Sequence, residues 1–193
     1  MKMKKKTKKQ KKIRITGGFL KNRVLHSVNK INIRPTRNRV KQVVFSWLQK
    51  YIKNSTCLDC FSGSGNLSIE SVSRLAKSVT SLEKNYTLVN KLRKTIKNFS
   101  ITNISVFHTN TLQWLKKNGT PYDIIYLDPP FYNKTLLNQS VQYLEKYNWI
   151  HKNSFIYIEH IDNNIYIPDT WKLIKKKKIG IVSFLLFYKK NKN

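Results

Sequence analysis

Hydrophobic positions in the second half of this chain switch between two periods. Short apolar runs, TCLDCF (56–61), SVTSLE (78–83), ISVFH (104–108), YDIIYLD (122–128) and SFIYIEH (154–160), read as buried strands. Between them apolar residues recur at helical spacing. LSIESVSRLA is one such segment; TLVNKLRKTIKNF aligns Leu88, Leu92, Ile96 and Phe99; TLQWLKK is short; TLLNQSVQYLEKY aligns Leu137, Val141 and Leu144. Strand and helix in alternation require crossover connections, and hence a parallel sheet and an α/β fold. WKLIKKKKIG and IVSFLLFYK close the chain as two strands around Gly180, too near each other to be parallel. Seven strands are therefore expected from residue 56 onward.

The first part reads differently. MKMKKKTKKQKK predicts a disordered basic tail over residues 1–12. KIRITGGFLKNRVLHSV predicts a small hairpin around Gly17-Gly18. IRPTRNRVKQVVFSWLQKYI then predicts a helix with Pro35 near its start and Val40, Val43, Val44, Trp47, Leu48 and Tyr51 at helical spacing. These elements form an extension over 13–53, ahead of the α/β domain over 54–193.

Composition adds a partner. The 193 residues carry a net charge of +29, from 38 Lys and Arg against nine acids. Such a charge attracts polyanions, nucleic acid before anionic membrane. Part of it is also what an AT-rich coding sequence, rich in Lys, Asn and Ile, would leave behind. The two cysteines, Cys57 and Cys60, alternate to opposite faces of one strand and have no second pair at zinc spacing. They read as small core residues, and the lack of a disulfide framework suits the cytoplasm. No apolar segment follows the basic start as in a secretion signal, and none reaches the length of a membrane span.

Scarce residues are informative where their placement is not random. Three of the nine acids, Asp59, Glu83 and Asp128, end predicted parallel strands, the edge at which open α/β sheets bind ligands. DCFSGSG (Asp59–Gly65) has glycines for close backbone approach. It lacks the third glycine of a dinucleotide loop and the Gly-Lys-Ser/Thr of a phosphate loop. A carboxylate before the glycines repels pyrophosphate but suits ammonium or sulfonium. Glu83, ending the next strand, can accept ribose hydroxyls. Together these features point to S-adenosyl-L-methionine (AdoMet).

DCFSGSGNLSIESVSRLAKSVTSLEKN and YDIIYLDPPF resemble the cofactor and catalytic motifs of class I AdoMet-dependent methyltransferases. RITGGFLKNRVL and RPTRNRVKQVVFSWL resemble the N-terminal segment of RsmD-type bacterial small-subunit (16S) rRNA guanine-N2 methyltransferases. The resemblance covers nearly the whole chain after residue 12. It implies a Rossmann-like fold with seven strands, mostly parallel, the last antiparallel. It implies that Asp59, Phe61, Gly63 and Gly65 form the loop under the methionine part, that Glu83 binds the ribose, and that Asn110 and Thr111 lie against the adenine. Asn110 stands where an Asp is common, so its side-chain carbonyl would meet the adenine amino group. Arg37 stands where a small polar residue is usual. The expected partner is small-subunit rRNA within an assembling 30S particle, bound by a monomer without metal.

In YLDPPF the chemistry follows from the residues. The lone pair of an exocyclic amine is delocalised into its base. Asp128 and the Pro129 carbonyl can each take one N–H, which aims the lone pair at a methyl donor. Pro129 and Pro130 stiffen the backbone, and Phe131 would stack on a base turned out of its neighbours. Arg34, Arg37 and Arg39 are candidates for phosphate contacts. Two other readings stay open: an adenine-N6 methyltransferase on DNA or RNA, which the same tetrapeptide serves, and a basic RNA-binding assembly protein without catalysis.

Overall fold

The computed structural model describes residues 13–25, 38–130, 133–161 and 164–190. The basic tail, Arg34, Pro35, Arg37 and Phe131 lie outside them. The elements run β1 (Ile13–Arg14), β2 (Val24–Leu25), α1 (Asn38–Trp47), β3 (Thr56–Asp59), α2 (Asn66–Ser73), β4 (Ser78–Glu83), α3 (Tyr86–Asn98), β5 (Ile104–His108), α4 (Thr111–Leu115), β6 (Tyr122–Leu127), α5 (Lys134–Lys146), β7 (Ile150–His160), β8 (Trp171–Ile179) and β9 (Val182–Lys189).

β1 and β2 pair antiparallel as a two-stranded ribbon, and the other seven strands form one sheet in the order β5-β4-β3-β6-β7-β9-β8. β3 to β7 are parallel, and β9 runs antiparallel to both β7 and β8. The strand order reverses at β3, where β4 lies on one side and β6 on the other. That is the switch point at which such sheets open a crevice beyond their C-terminal ends. β7 begins four residues before SFIYIEH. Its early residues still pair, since Tyr122 stands opposite Ile150 ahead of a bulge.

Alternation along the strands feeds two cores. Cys57, Ile124, Tyr126, Tyr157, Phe184 and Leu186 face one side, with ribbon residues Ile13, Ile15 and Leu20 and the α1 residues Val40, Val44 and Phe45. Leu58, Cys60, Ile125, Leu127, Ile158 and Leu185 face the other, with α5 and Trp149. The two free cysteines thus lie on opposite faces, as the alternation requires, and burial pushes the Cys57 thiol up to about 12. Among the described residues no His, Cys, Asp and Glu cluster could hold a metal, and no helix is long and apolar enough to cross a membrane.

The ribbon is tied to the sheet through α2. Gly18 adopts φ +74, and a Cβ there would collide with the Ser73 carbonyl at the end of α2. That close approach lets the Phe19 N–H donate to the Ser73 carbonyl (2.9 Å) and the Leu20 N–H to the Ser73 hydroxyl (3.0 Å). One turn earlier, the fully buried Glu70 carboxylate accepts from the Thr16 N–H (2.9 Å), the Thr16 hydroxyl (2.7 Å) and the Arg74 guanidinium (3.0 Å). Lys41 of α1 completes the cluster, 3.4 Å from Glu70 and donating to the Arg14 carbonyl at 2.6 Å. Burial lowers the Lys41 pKa, and Glu70 opposes that fall.

Candidate active site

β3 ends in Asp59 because the chain must leave the sheet there; the loop Cys60–Gly65 turns it back into α2. Gly63 and Gly65 have φ of +54 and +79, which other L-residues rarely adopt. Gly65 faces inward, where a Cβ would strike Leu92 of α3. Gly63 faces outward: a Cβ there would meet nothing nearer than the Phe61 carbonyl at 4.0 Å. The loop is thus bare backbone beside an open space.

Asp59 lies under this loop, 1% exposed. Ser68 of α2 donates to its carboxylate at 2.5 Å, and Ser81 of β4 donates to Ser68 at 2.8 Å. Burial raises the Asp59 pKa to about 6, with Glu83 adding to the rise while Ser68 and the Phe61 N–H oppose it. Glu83 ends β4 and accepts from the Gly63 N–H (2.9 Å) and the Asn85 N–H (2.7 Å). It holds the glycine loop with one oxygen and the start of α3 with the other. Each carboxylate oxygen keeps a lone pair for a further donor.

Asn110 caps α4, its side-chain oxygen accepting from the Leu112 and Gln113 N–H groups at 2.9 and 3.2 Å. These bonds engage the same oxygen that the sequence reading directs at an adenine amino group. Both its lone pairs are spent on the helix, and the amide nitrogen is the polar atom left to offer. The Thr111 hydroxyl is likewise turned inward, donating to the Cys60 carbonyl at 2.5 Å. Thr111 therefore binds α4 to the glycine loop. Two buried polar atoms near these elements have no hydrogen-bond partner among the described residues: Asn66 Oδ1, directly after Gly65, and Trp114 Nε1 of α4. Buried groups of this kind are normally satisfied, and a polar ligand along the crevice is one way to satisfy them.

β6 delivers the third carboxylate. It is the central strand, buried from Ile124 to Leu127, and Cys60 N–H donates to the Tyr126 carbonyl at 3.1 Å. The glycine loop and the end of β6 are thereby neighbours. Asp128 follows, half-buried, with Pro129 buried behind it. The Pro130 carbonyl accepts the Asn133 N–H at 3.0 Å, and Asn133 caps α5. Next to Asp128, Glu159 accepts from the Tyr157 hydroxyl at 2.8 Å. Burial and the charges of Glu159 and Asp128 together hold that hydroxyl well above its ordinary pKa. Arg39 is exposed on the first turn of α1.

Sequence reasoning did not single out Thr16, Lys41, Glu70 and Arg74, which join the extension to the loop-bearing helix. One signal was present: Glu70 and Arg74 stand four apart on a predicted helix. Lys41 carried none, since one lysine among so many gives no hint of burial.

Residues 13–188 match the family described as conserved hypothetical protein 95. The ribosomal RNA small subunit methyltransferase D of Buchnera aphidicola is 48% identical over 93% of this chain and 94% of its own length. The protein of that name from Escherichia coli is 34% identical over 91% and 89%. Among solved structures, yhhF from Escherichia coli matches with a TM-score of 0.87 at 32% identity, over 94% of this chain and 99% of that one. With this fold, this loop and these relatives, the chain belongs to the ribosomal RNA small subunit methyltransferase D family of class I methyltransferases.

Proposed function

We propose that this protein transfers a methyl group from AdoMet to the exocyclic N2 of a guanine in small-subunit rRNA, acting as a cytoplasmic monomer on an assembling 30S particle. The observation that carries the reading is that three carboxylates, Asp59, Glu83 and Asp128, stand at the C-terminal ends of three adjacent parallel strands at the sheet's switch point, where Glu83 holds the bare glycine loop. The open face of Gly63 and the unpartnered Asn66 oxygen suit the cofactor. Asp59 and the loop would hold its methionine end, Glu83 its ribose, and the Asn110 amide nitrogen its adenine.

When bound, AdoMet supplies a methyl group on a positively charged sulfur that leaves as a neutral thioether. Asp128 and the Pro129 carbonyl take the two N–H groups of the target amine, so that its lone pair faces the methyl carbon. Transfer would form the new N–C bond as the donor's C–S bond breaks, with one amine proton passing to water. No strong base is required, because the amine loses its proton after it has become cationic. The rate gain comes from orientation and from acceptors aimed at the developing charge. Phe131 is assigned to stack on the base, and Arg34, Arg37 and Arg39 to contact phosphates.

The test is nucleoside mapping of small-subunit rRNA, naked and in assembly intermediates, after incubation with protein and labelled AdoMet. N2-methylguanosine is expected; N6-methyladenosine or no product overturns the proposal. Asp128→Ala should lower turnover about a hundredfold or more while sparing AdoMet affinity. Glu83→Ala should weaken AdoMet. Equal loss of cofactor affinity in both variants would contradict this division of roles.

A further inference from the structure

β8 is a free edge of the sheet, and Lys175, Lys176, Lys177 and Lys178 on it are all exposed. None of the four makes an ion pair among the described residues. Lysines on an edge strand commonly serve to block pairing with other sheets. The register shows that these also have a defined position relative to the site. Lys177 stands opposite Phe184, and Phe184 opposite Glu159. Leu127 stands opposite Ile158, so Asp128 is level with Glu159 and with Lys177. Three interstrand steps of roughly 4.8 Å separate them, about 14 Å along the rim.

The face is defined as well. Tyr126, Phe184 and Leu186 all belong to the core that includes the ribbon and α1. Asp128 follows the end of β6, and its charge acts on the hydroxyl of Tyr157, a residue of the same core. Lys175 and Lys177, which stand opposite Leu186 and Phe184, project to that side. Lys176 and Lys178 project to the other side, where Leu185 lies. β8 then turns into β9 at Gly180 (φ +61), and Ile181 beside it is 67% exposed on the same rim. An apolar tip next to unpaired cations suits a nucleotide strand, which presents charged phosphates and apolar ring faces.

We infer that Lys175 and Lys177 form a phosphate track for the RNA strand flanking the target nucleotide, on the side of the pocket away from the cofactor. The inference rests on the rRNA reading above. It gives the substrate two supports, the N-terminal extension and the β8 edge, with the target base between them.

Initial rates of methyl transfer to small-subunit RNA, measured over a range of RNA and salt concentrations with the full chain, test it. Lys175→Gln with Lys177→Gln should raise KM for RNA by about tenfold. The slope of log affinity against log salt should fall by about 1.4, at roughly 0.7 per lost phosphate contact on a single strand. AdoMet affinity, measured by calorimetry without RNA, should not move. Lys175→Arg with Lys177→Arg should restore KM, and Lys176→Gln with Lys178→Gln should change it less. An unchanged KM and slope in the first pair, or an equal change in both Gln pairs, overturns the inference and leaves an edge protected from pairing. Wild-type protein that neither binds nor methylates RNA overturns the rRNA reading, and this inference with it.

Discussion

Asp59 is a carboxylate held where charge is disfavoured. Burial raises its pKa from 3.8 to about 6. Between those values the folded chain keeps a proton that the unfolded chain has lost, so stability falls as pH rises through that window. The full effect is about 3 kcal/mol, at 1.36 kcal/mol per pKa unit. Urea denaturation across this range should show the fall, and Asp59→Asn should remove it. A cationic ligand group beside Asp59 would offset that cost, so AdoMet affinity should rise with pH through about 6 and stay flat in Asp59→Asn. The two glycines separate in the same way. Gly65→Ala combines positive φ with a collision at Leu92 and should cost roughly 1–3 kcal/mol in denaturation experiments. Gly63→Ala places a methyl in the open cradle and should weaken AdoMet with a smaller loss of stability. The three strand-end acids were legible because acids are scarce and strands announce their ends. Their mutual contacts were not: the bond from Gly63 to Glu83 spans 20 residues and arises only when β3 and β4 align.

At the level of elements, α2 departs most from its sequence. ESVS looks like a polar face, yet every residue from Asn66 to Ser73 is buried. The sheet covers one side and the ribbon the other, so each polar group needs a designated partner. Ser68 has Asp59, Ser71 has the Tyr126 hydroxyl at 2.9 Å, and Ser73 has the ribbon backbone. The helix was legible from its period; its enclosure was not, because the covering ribbon comes from some fifty residues earlier. Removing the acid at the centre should be severe. Glu70→Ala leaves Lys41, Thr16 and Arg74 without their shared buried acceptor, and a loss of about 3–5 kcal/mol is expected in urea unfolding. Lys41→Met added to Glu70→Ala should recover much of that loss, giving a large coupling in the double-mutant cycle. A result near additivity would mean that the pair is held by its surroundings alone.

For the molecule as a whole, a charge of +29 must be accommodated in the folded state. Self-repulsion is relieved by screening or by a polyanion. The melting temperature should therefore rise between low and moderate salt, and rise further with RNA at low salt by mass action. A flat response would show that the charges are already too dispersed to matter. The antiparallel character of the last two strands was legible from their short turn. A cue to their order was present too: VSFLLFY is continuously apolar, as a strand flanked on both sides must be, whereas β8 is lysine-rich, as an edge can be.

That order has a temporal consequence. β8 precedes β9 in the chain, yet among the described residues β9 is the only strand it pairs with. At a synthesis rate of roughly 5–20 residues per second, β8 leaves the ribosome with no strand to pair with until the segment after it has followed. Closure of the sheet thus runs opposite to the order of manufacture, and the lysine rim takes shape last. On the phosphate-track inference, a nascent chain would lack the rim until its sheet is finished, and full grip on RNA would be reserved for completed molecules.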